Sequence, residues 1–188
     1  MSPSNSKVKP TTYFALLRGI NVGGHNVSME KLRGLFAELG LENVRSFIQT
    51  GNVFFESDKT DRAALERGLH AHLTDKLGYD VPVFLRTEQE LSRVLEATPF
   101  NNLELTPETR HLVVFISKPL APDLAFPVAS PAGEFEILSA TDGEAFVLLR
   151  TVKGKSGNAI AWVEKTFGVA ASARFYHTTQ KILDAAQK

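Results

Sequence analysis

The stretch YFALLRGINVGGHN, Tyr13 to Asn26, decides how the first half of the chain is interpreted. It begins with an apolar run of the length of one strand and turns polar at Arg18. Two adjacent glycines, Gly23 and Gly24, follow and permit a tight turn. We therefore predict a buried strand over about Thr12 to Leu17, followed by a glycine turn.

Helical spacing resumes after this turn in SMEKLRGLFAELG, which Ser28 can cap and Gly40 can end. The sequence NVRSFIQTGNVFFES then predicts a hairpin with Gly51 at its turn. A leucine-rich second helix, a short strand and a third helix follow, and Pro99 ends the third helix.

The second half has a similar order of elements. HLVVFISKP predicts a buried strand, and the proline-rich LAPDLAFPVASPAG predicts a loop or one short helix. A hairpin with Asp142 and Gly143 at its turn, a helix, a strand and a last helix complete the chain.

Each half thus follows a βαββαβ order with a trailing helix, which is the ferredoxin-like plan. We predict an α+β protein of two ferredoxin-like lobes in tandem with a C-terminal helix. The alternative is a single α+β domain with one continuous sheet. The predicted boundaries are a disordered tail at residues 1–10, the first lobe with its trailing helix at 11–99, and the second lobe with the C-terminal helix at 100–188.

Composition narrows the class of protein. The chain has 188 residues, 43% of them hydrophobic and 22% charged, with a formal net charge of zero. A dedicated nucleic-acid protein usually carries a basic excess, so zero net charge argues against one and leaves only a local basic cleft. There is no cysteine, which excludes thiolate chemistry and disulfides. We expect a cytoplasmic protein without membrane contact, because no apolar run approaches the ~20 residues of a membrane span.

The segment from Tyr13 to Ser57 resembles the bacterial domain-of-unknown-function family 1697. Members of that family open with a strand that ends in LLRGINVGG and continue with a helix and an IQSGNVVF-like hairpin. Here the second motif reads IQTGNVF from Ile48 to Phe54, with threonine for the usual serine. The resemblance implies a two-lobed α+β fold and carries no agreed activity.

The C-terminal segment departs from this family pattern. Arg174 and Thr178 keep the pattern, and the resemblance brings Arg174 into the predicted ligand-binding set. Phe175, Tyr176 and His177 replace the usual Asn-Trp-Asn.

The glycine turn is the first candidate binding site. A glycine pair between a strand and a helix lets backbone amides approach an anion, and the helix start adds a positive dipole. An arginine beside it offers a bidentate fork for phosphate or carboxylate. The alternative is that the two glycines only form a turn and that Arg18 makes an ion pair within the protein. The candidate residues are Arg18, Asn21, Gly23, Gly24, His25 and Asn26.

The segment RTVKGKSGN is a second candidate, because it also lies between a strand and a helix. Lys153, Lys155 and Ser156 could hold phosphate at the helix start, although leucine at position 149 excludes a P-loop. The alternative is a solvated basic turn.

The hairpin tip carries Gln49, Thr50 and Asn52, residue types that turns favour for backbone reasons alone. If the second strand ran antiparallel to the first, this tip would lie away from the glycine turn. We therefore do not assume one pocket for both motifs.

Three functions remain open. The favoured hypothesis is a module that binds a phosphate-bearing small molecule or a nucleic-acid phosphate. The second is an enzyme on such a substrate, with His25 or His177 as general acid or base. The third is a protein-interaction domain such as a homodimer. No cluster of carboxylates or histidines has ligand spacing, so we predict neither a metal nor a cofactor.

Overall fold

The computed structural model describes residues 9–97 and 99–188. Within them the chain forms two antiparallel sheets and five α-helices, which confirms the predicted α+β class. Residues 1–8 of the predicted tail lie outside the described residues. The chain divides into two compact units, of which the first ends at Glu88 and the second begins at Gln89. The predicted trailing helix of the first lobe therefore groups with the second unit.

The first unit contains two helices and one four-stranded sheet. Its elements are β1 (Thr11–Leu16), α1 (Met29–Ala37), β2 (Glu42–Phe47), β3 (Asn52–Ser57), α2 (Arg62–Leu77) and β4 (Leu85–Thr87). The strand order is β2-β3-β1-β4, and every neighbouring pair is antiparallel. The central strands β1 and β3 pair over their full length, from Thr11 with Ser57 to Leu16 with Asn52.

The core of the first unit explains the leucine spacing of α2. Leu65, Leu69 and Leu73 lie on one face of this helix and are buried among residues such as Tyr13 and Phe55. The helix begins where the Asp61 side chain accepts a hydrogen bond from the Ala64 amide. Residues of both alternating sets in β1 are buried, which is why that strand is a continuous apolar run.

The second unit contains a five-stranded sheet. Its elements are α3 (Glu88–Glu96), β5 (Thr109–Ile116), β6 (Val128–Ala129), β7 (Phe135–Ala140), β8 (Glu144–Arg150), α4 (Ala159–Phe167), β9 (Ala171–Phe175) and α5 (Tyr176–Ala186). The strand order is β6-β7-β8-β5-β9. Residues 117–134, all described, form a loop with the short strand β6 and no helix. This outcome matches the loop alternative for the proline-rich stretch, so the second unit lacks a first crossover helix.

In the second unit, His111 packs against a cluster of aromatic side chains. The His111 ring stacks on Phe100 with centroids 4.4 Å apart, and Phe100 also contacts Phe146 and Tyr176 edge-on. The Nε2 atom of His111 is buried and has no hydrogen-bond partner in the described chain. Burial therefore lowers the pKa of His111 below its ordinary value.

This environment predicts a loss of stability in acid. Between the lowered folded pKa and the ordinary value of about 6.5, the unfolded chain binds the proton that the folded chain rejects, so the free energy of unfolding falls as the pH drops below about 6.5. The variant His111→Phe keeps a stacked ring and should lose this component. Urea unfolding of both proteins at about pH 7.5 and about pH 5 measures it. The control is the variant of an exposed histidine, His177→Gln, which should lose as much free energy of unfolding between the two pH values as the wild type does. If His111→Phe also loses as much as the wild type, the prediction is wrong.

Gly51 provides a second test of the fold. It has φ +75°, and a Cβ there would lie 2.9 Å from Ile20 Cβ and 3.0 Å from Leu17 Cβ. We expect Gly51→Ala to lower the free energy of unfolding by about 2–5 kcal/mol, through a left-handed alanine and an overpacked contact together. The control is Gly40→Ala, at φ +73° with nothing within 4 Å in the described chain, which should cost only about 1–2 kcal/mol. Equal losses in chemical denaturation would refute the role of the contact.

Candidate functional site

The hairpin tip lies beside the glycine turn, which corrects the strand direction considered in the sequence. Both β1 and β2 pair antiparallel with β3, so β1 and β2 run in the same direction. The tip between β2 and β3 therefore lies at the end of β1, where the Leu17 amide donates to the Gly51 carbonyl at 2.9 Å. The first unit thus brings the two motifs together.

The segment before β4 flanks the glycine turn on the other side. Strand β4 is antiparallel to β1, so its beginning also lies at the end of β1. The Arg18 amide donates to the Pro82 carbonyl at 3.0 Å, and a Cβ on Gly19 would lie 3.8 Å from the Asp80 carbonyl oxygen. We call the surface formed by residues 18–27, 48–52 and 79–82 the glycine-loop site.

Asn21 closes this loop with its side chain. Its Oδ1 accepts from the Val27 amide at 2.7 Å, and its Nδ2 donates to the Val27 carbonyl at 3.1 Å and to the Gln49 carbonyl at 2.9 Å. The residue has φ 54°, a left-handed conformation that asparagine tolerates better than most residues. Asn21, predicted as a ligand contact, thus has both amide hydrogens engaged within the protein.

The side chain of a buried asparagine, Asn52, also stabilises the hairpin tip. Asn52 is fully buried, and its Nδ2 donates to the Phe47 carbonyl at 3.2 Å and to Thr50 Oγ1 at 3.0 Å. Ile48 adopts φ 50°, which is strained for a β-branched residue. The tip is therefore a tightly determined turn.

Gly23 and Gly24 present exposed backbone to solvent. Their φ angles are 61° and 91°, and a Cβ on either would meet nothing within 4 Å in the described chain. Neither amide donates a hydrogen bond within residues 9–97 and 99–188, whereas the next amide, that of His25, donates to the Val22 carbonyl at 3.1 Å. Two consecutive amides of the loop are thus available to an acceptor from outside.

His25 forms the wall of this site together with Tyr79. The two rings stack with centroids 3.6 Å apart and an interplanar angle of 18°. The Tyr79 hydroxyl is buried without a hydrogen-bond partner in the described chain, and burial raises the pKa of Tyr79 above its ordinary value. Sequence reasoning missed Tyr79; the signal was the antiparallel β4, whose start must lie next to the end of β1.

The remaining residues of the first motif have different positions. Arg18 is half-buried at the base of the loop, and Asn26 is exposed. The start of α1 is already complemented, because Ser28 Oγ accepts from the Lys31 amide at 3.1 Å and Glu30 places a carboxylate in the first turn. The first turn of α1 is thus already complemented, whereas the Gly23 and Gly24 amides have no acceptor within the described residues.

The second motif forms a closed turn in the second unit. Val152 and Lys155 exchange backbone hydrogen bonds of 2.9 and 3.0 Å around Lys153 and Gly154, which both have positive φ. The Ser156 hydroxyl lies 3.1 Å from Thr151 Oγ1. The side chains of Lys153, Lys155 and Ser156 are exposed, but the Lys155 amide and the Ser156 hydroxyl are engaged within the turn.

Arg174 lies in β9, the strand predicted before the last helix. Its guanidinium donates to Ser172 Oγ at 3.0 Å and to the Ala173 carbonyl at 2.7 Å. Burial lowers the pKa of Arg174 to about 10, so the side chain remains a cation at neutral pH. Beyond it, Phe175 and His177 stack with centroids 5.6 Å apart.

Within the described residues, no three histidine or acidic side chains come together in a group that could hold a metal ion. None of the helices described is both long and apolar enough to cross a bilayer.

The hydrogen bonds of Asn21 lead to a testable prediction. Asn21→Asp keeps the acceptor for the Val27 amide, but it removes both donors and turns a charged oxygen toward the Val27 and Gln49 carbonyls. We expect the free energy of unfolding to fall by about 1–3 kcal/mol. The matched control is Asn26→Asp, an exposed residue of the same loop, which should change stability by less than about 0.5 kcal/mol. If urea titrations show the same loss of unfolding free energy in both variants, the hydrogen bonds of Asn21 do not stabilise the loop as proposed.

Comparison with known proteins places the chain in a family. No curated protein matches it. Among solved structures it is similar to the conserved bacterial protein SP0830 from Streptococcus pneumoniae, with a TM-score of 0.69 and 23% identity over 95% of this chain and 99% of that one. That likeness shows a shared fold. The family model described as Protein of unknown function (DUF1697) matches residues 11–146, well over half of the chain. The chain therefore belongs to the DUF1697 family.

Proposed function

We propose that the glycine-loop site binds an anionic, phosphate-bearing ligand. The observation that carries the proposal is the pair of exposed amides at Gly23 and Gly24, which donate to no acceptor within the described chain. Consecutive amides in turn conformations form concave sites for anions, and glycine lets the anion come close to the backbone.

The surroundings of the two amides favour the same ligand. Arg18 at the base of the loop supplies positive charge, and His25 beside Gly24 supplies a ring whose tautomer can donate a hydrogen bond. Asn21 holds the loop in one conformation through its hydrogen bonds to Val27 and Gln49. A preorganised loop loses less conformational entropy on binding, so a weakly charged site can still bind.

The proposal rests on the first loop alone. Lys153, Lys155, Ser156 and Arg174 stay predicted contacts to the same class of ligand. The turn that carries Lys155 and Ser156 already uses its own amide and hydroxyl, as described above, so its contribution would come from exposed lysine charge. Such a charge attracts an anion without orienting it.

Binding is proposed rather than catalysis. A histidine general base is normally oriented by a second group that hydrogen-bonds the other ring nitrogen. In the described chain the His25 ring contacts Tyr79 by stacking and makes no side-chain hydrogen bond. Nothing described selects the tautomer that acid–base catalysis would require.

We also propose that the first unit is a ferredoxin-like lobe and that the second is a variant of it. The support is the order β2-β3-β1-β4 with α1 and α2 as the two crossover helices. In the second unit β5, β7, β8 and β9 keep the corresponding order, while a loop replaces the first crossover helix.

Titration with inorganic phosphate and glucose 6-phosphate tests the proposed function. In ¹H–¹⁵N spectra we expect saturable shifts of the Gly23 and Gly24 amides. Arg18→Gln should weaken binding about tenfold, because a hydrogen bond to a charged group contributes about 1.5–3 kcal/mol. Lys165→Gln, an exposed lysine in the last turn of α4 that belongs to neither loop, is the control and should leave the affinity unchanged. Absence of shifts at both glycines up to tens of millimolar, or an equal loss of affinity in Arg18→Gln and Lys165→Gln, would refute the proposal.

A further inference from the structure

A separate groove lies in the first unit, at the other end of its sheet. It has a volume of about 400 Å³ and lies between the residues that follow α1 and the first half of α2. Its accessible apolar lining comes from Leu39 and Ala64, behind which lie the buried Leu65 and Leu69. The volume lies within the range of about 300–1,000 Å³ that small-molecule sites occupy.

Gly68 keeps this groove open. It lies in the interior of α2, where glycine is about 0.5–1 kcal/mol less favourable than alanine. Its backbone is not left-handed, and a Cβ there would meet nothing within 4 Å in the described chain. Neither the backbone conformation nor a neighbouring atom therefore requires glycine at this position. Because Gly68 lines the groove, we expect a larger side chain there to fill part of it.

One end of the groove is polar, with Lys59 and Asp61 in its lining. The Lys59 backbone is held in place, since its amide donates to Ser57 Oγ at 3.2 Å and its carbonyl accepts from the Tyr13 hydroxyl at 3.1 Å. Its ammonium group makes no hydrogen bond or ion pair within the described residues. Asp61 is engaged as the N-cap of α2, with Oδ1 accepting from the Ala64 amide at 2.9 Å.

These charges favour an anionic head group over a cationic one. The Asp61 carboxylate already offsets the positive end of the α2 dipole by capping it, whereas the Lys59 ammonium has no such partner. Apart from Thr60, the rest of the lining is apolar and matches an alkyl chain, for which each buried methylene contributes about 0.8 kcal/mol.

We infer that this groove binds a free aliphatic carboxylate of medium chain length. The carboxylate head lies at Lys59, and the tail extends over Ala64 and Leu39 past Gly68. The groove is open to solvent along one side, and its volume suits one small molecule rather than a peptide. The inference is independent of the phosphate proposal, because it concerns different residues.

Titration of the ¹⁵N-labelled protein with sodium octanoate, 1-octanol and octylammonium chloride, all below their aggregation concentrations, tests the inference. We expect saturable shifts of the Lys59 and Gly68 amides with octanoate. Octanol should bind about fivefold more weakly, the factor expected for an exposed ion pair of about 1 kcal/mol, and octylammonium more weakly still. Octylammonium binding as tightly as octanoate, or no shift at Gly68 with octanoate, would overturn the inference.

Two variants locate the tail and the head. Gly68→Leu should fill the groove and weaken octanoate at least tenfold while it raises helix propensity, so the protein stays folded. Its matched control is Gly34→Leu, at an exposed interior position of α1 that is equally open and does not line the groove; octanoate affinity should not change. Lys59→Gln should reduce octanoate affinity to that of octanol. Wild-type binding of octanoate by Gly68→Leu would be decisive against the proposed position.

Discussion

The contact between Gly51 and the chain that leaves β1 is the constraint on which the candidate site depends. The Gly51 carbonyl accepts the Leu17 amide, and no space remains at its Cα for a side chain because Leu17 and Ile20 fill it. The hairpin tip can approach the glycine turn this closely only with glycine at that position. Asn21 then adds a hydrogen bond to the tip at Gln49. Without that approach, the loop would lose the tip as a support, and its exposed amides would have no defined direction.

Most elements of the fold could be predicted from the sequence because their signals are local. The leucine-rich pattern of α2, the Ser28 cap of α1 and the turn at Gly51 depend on neighbours in the chain, and all three occupy the predicted elements. The direction of β2 relative to β1 could not be predicted from local signals, because it follows from the separate pairing of each strand with β3. The grouping of α3 with the second unit is also a matter of long-range contacts, which residue periodicity does not encode.

The residues of the candidate site could be predicted from the sequence, but which of its backbone amides are already hydrogen-bonded within the protein could not. Two motifs looked alike in the sequence, each a glycine-containing polar segment between a strand and a helix. In one, the amides of Gly23 and Gly24 stay available; in the other, the Lys155 amide closes a tight turn. That difference depends on the backbone angles of the two loops, and the residue types present allow more than one set of angles. Tyr79 was missed for a related reason, because its ring meets His25 across a long separation in sequence.

The two proposed sites of the first unit lie at opposite ends of one sheet. The glycine loop follows the end of β1, whereas Lys59 follows the end of β3, which lies beside the start of β1 because those strands are antiparallel. Six residues of β1 separate the two ends, a distance of about 20 Å. At that separation, substitutions without shared partners act additively. Mutational effects at Arg18 and at Gly68 should therefore be independent, and a coupling between them would mean that the sheet itself transmits a change from one end to the other.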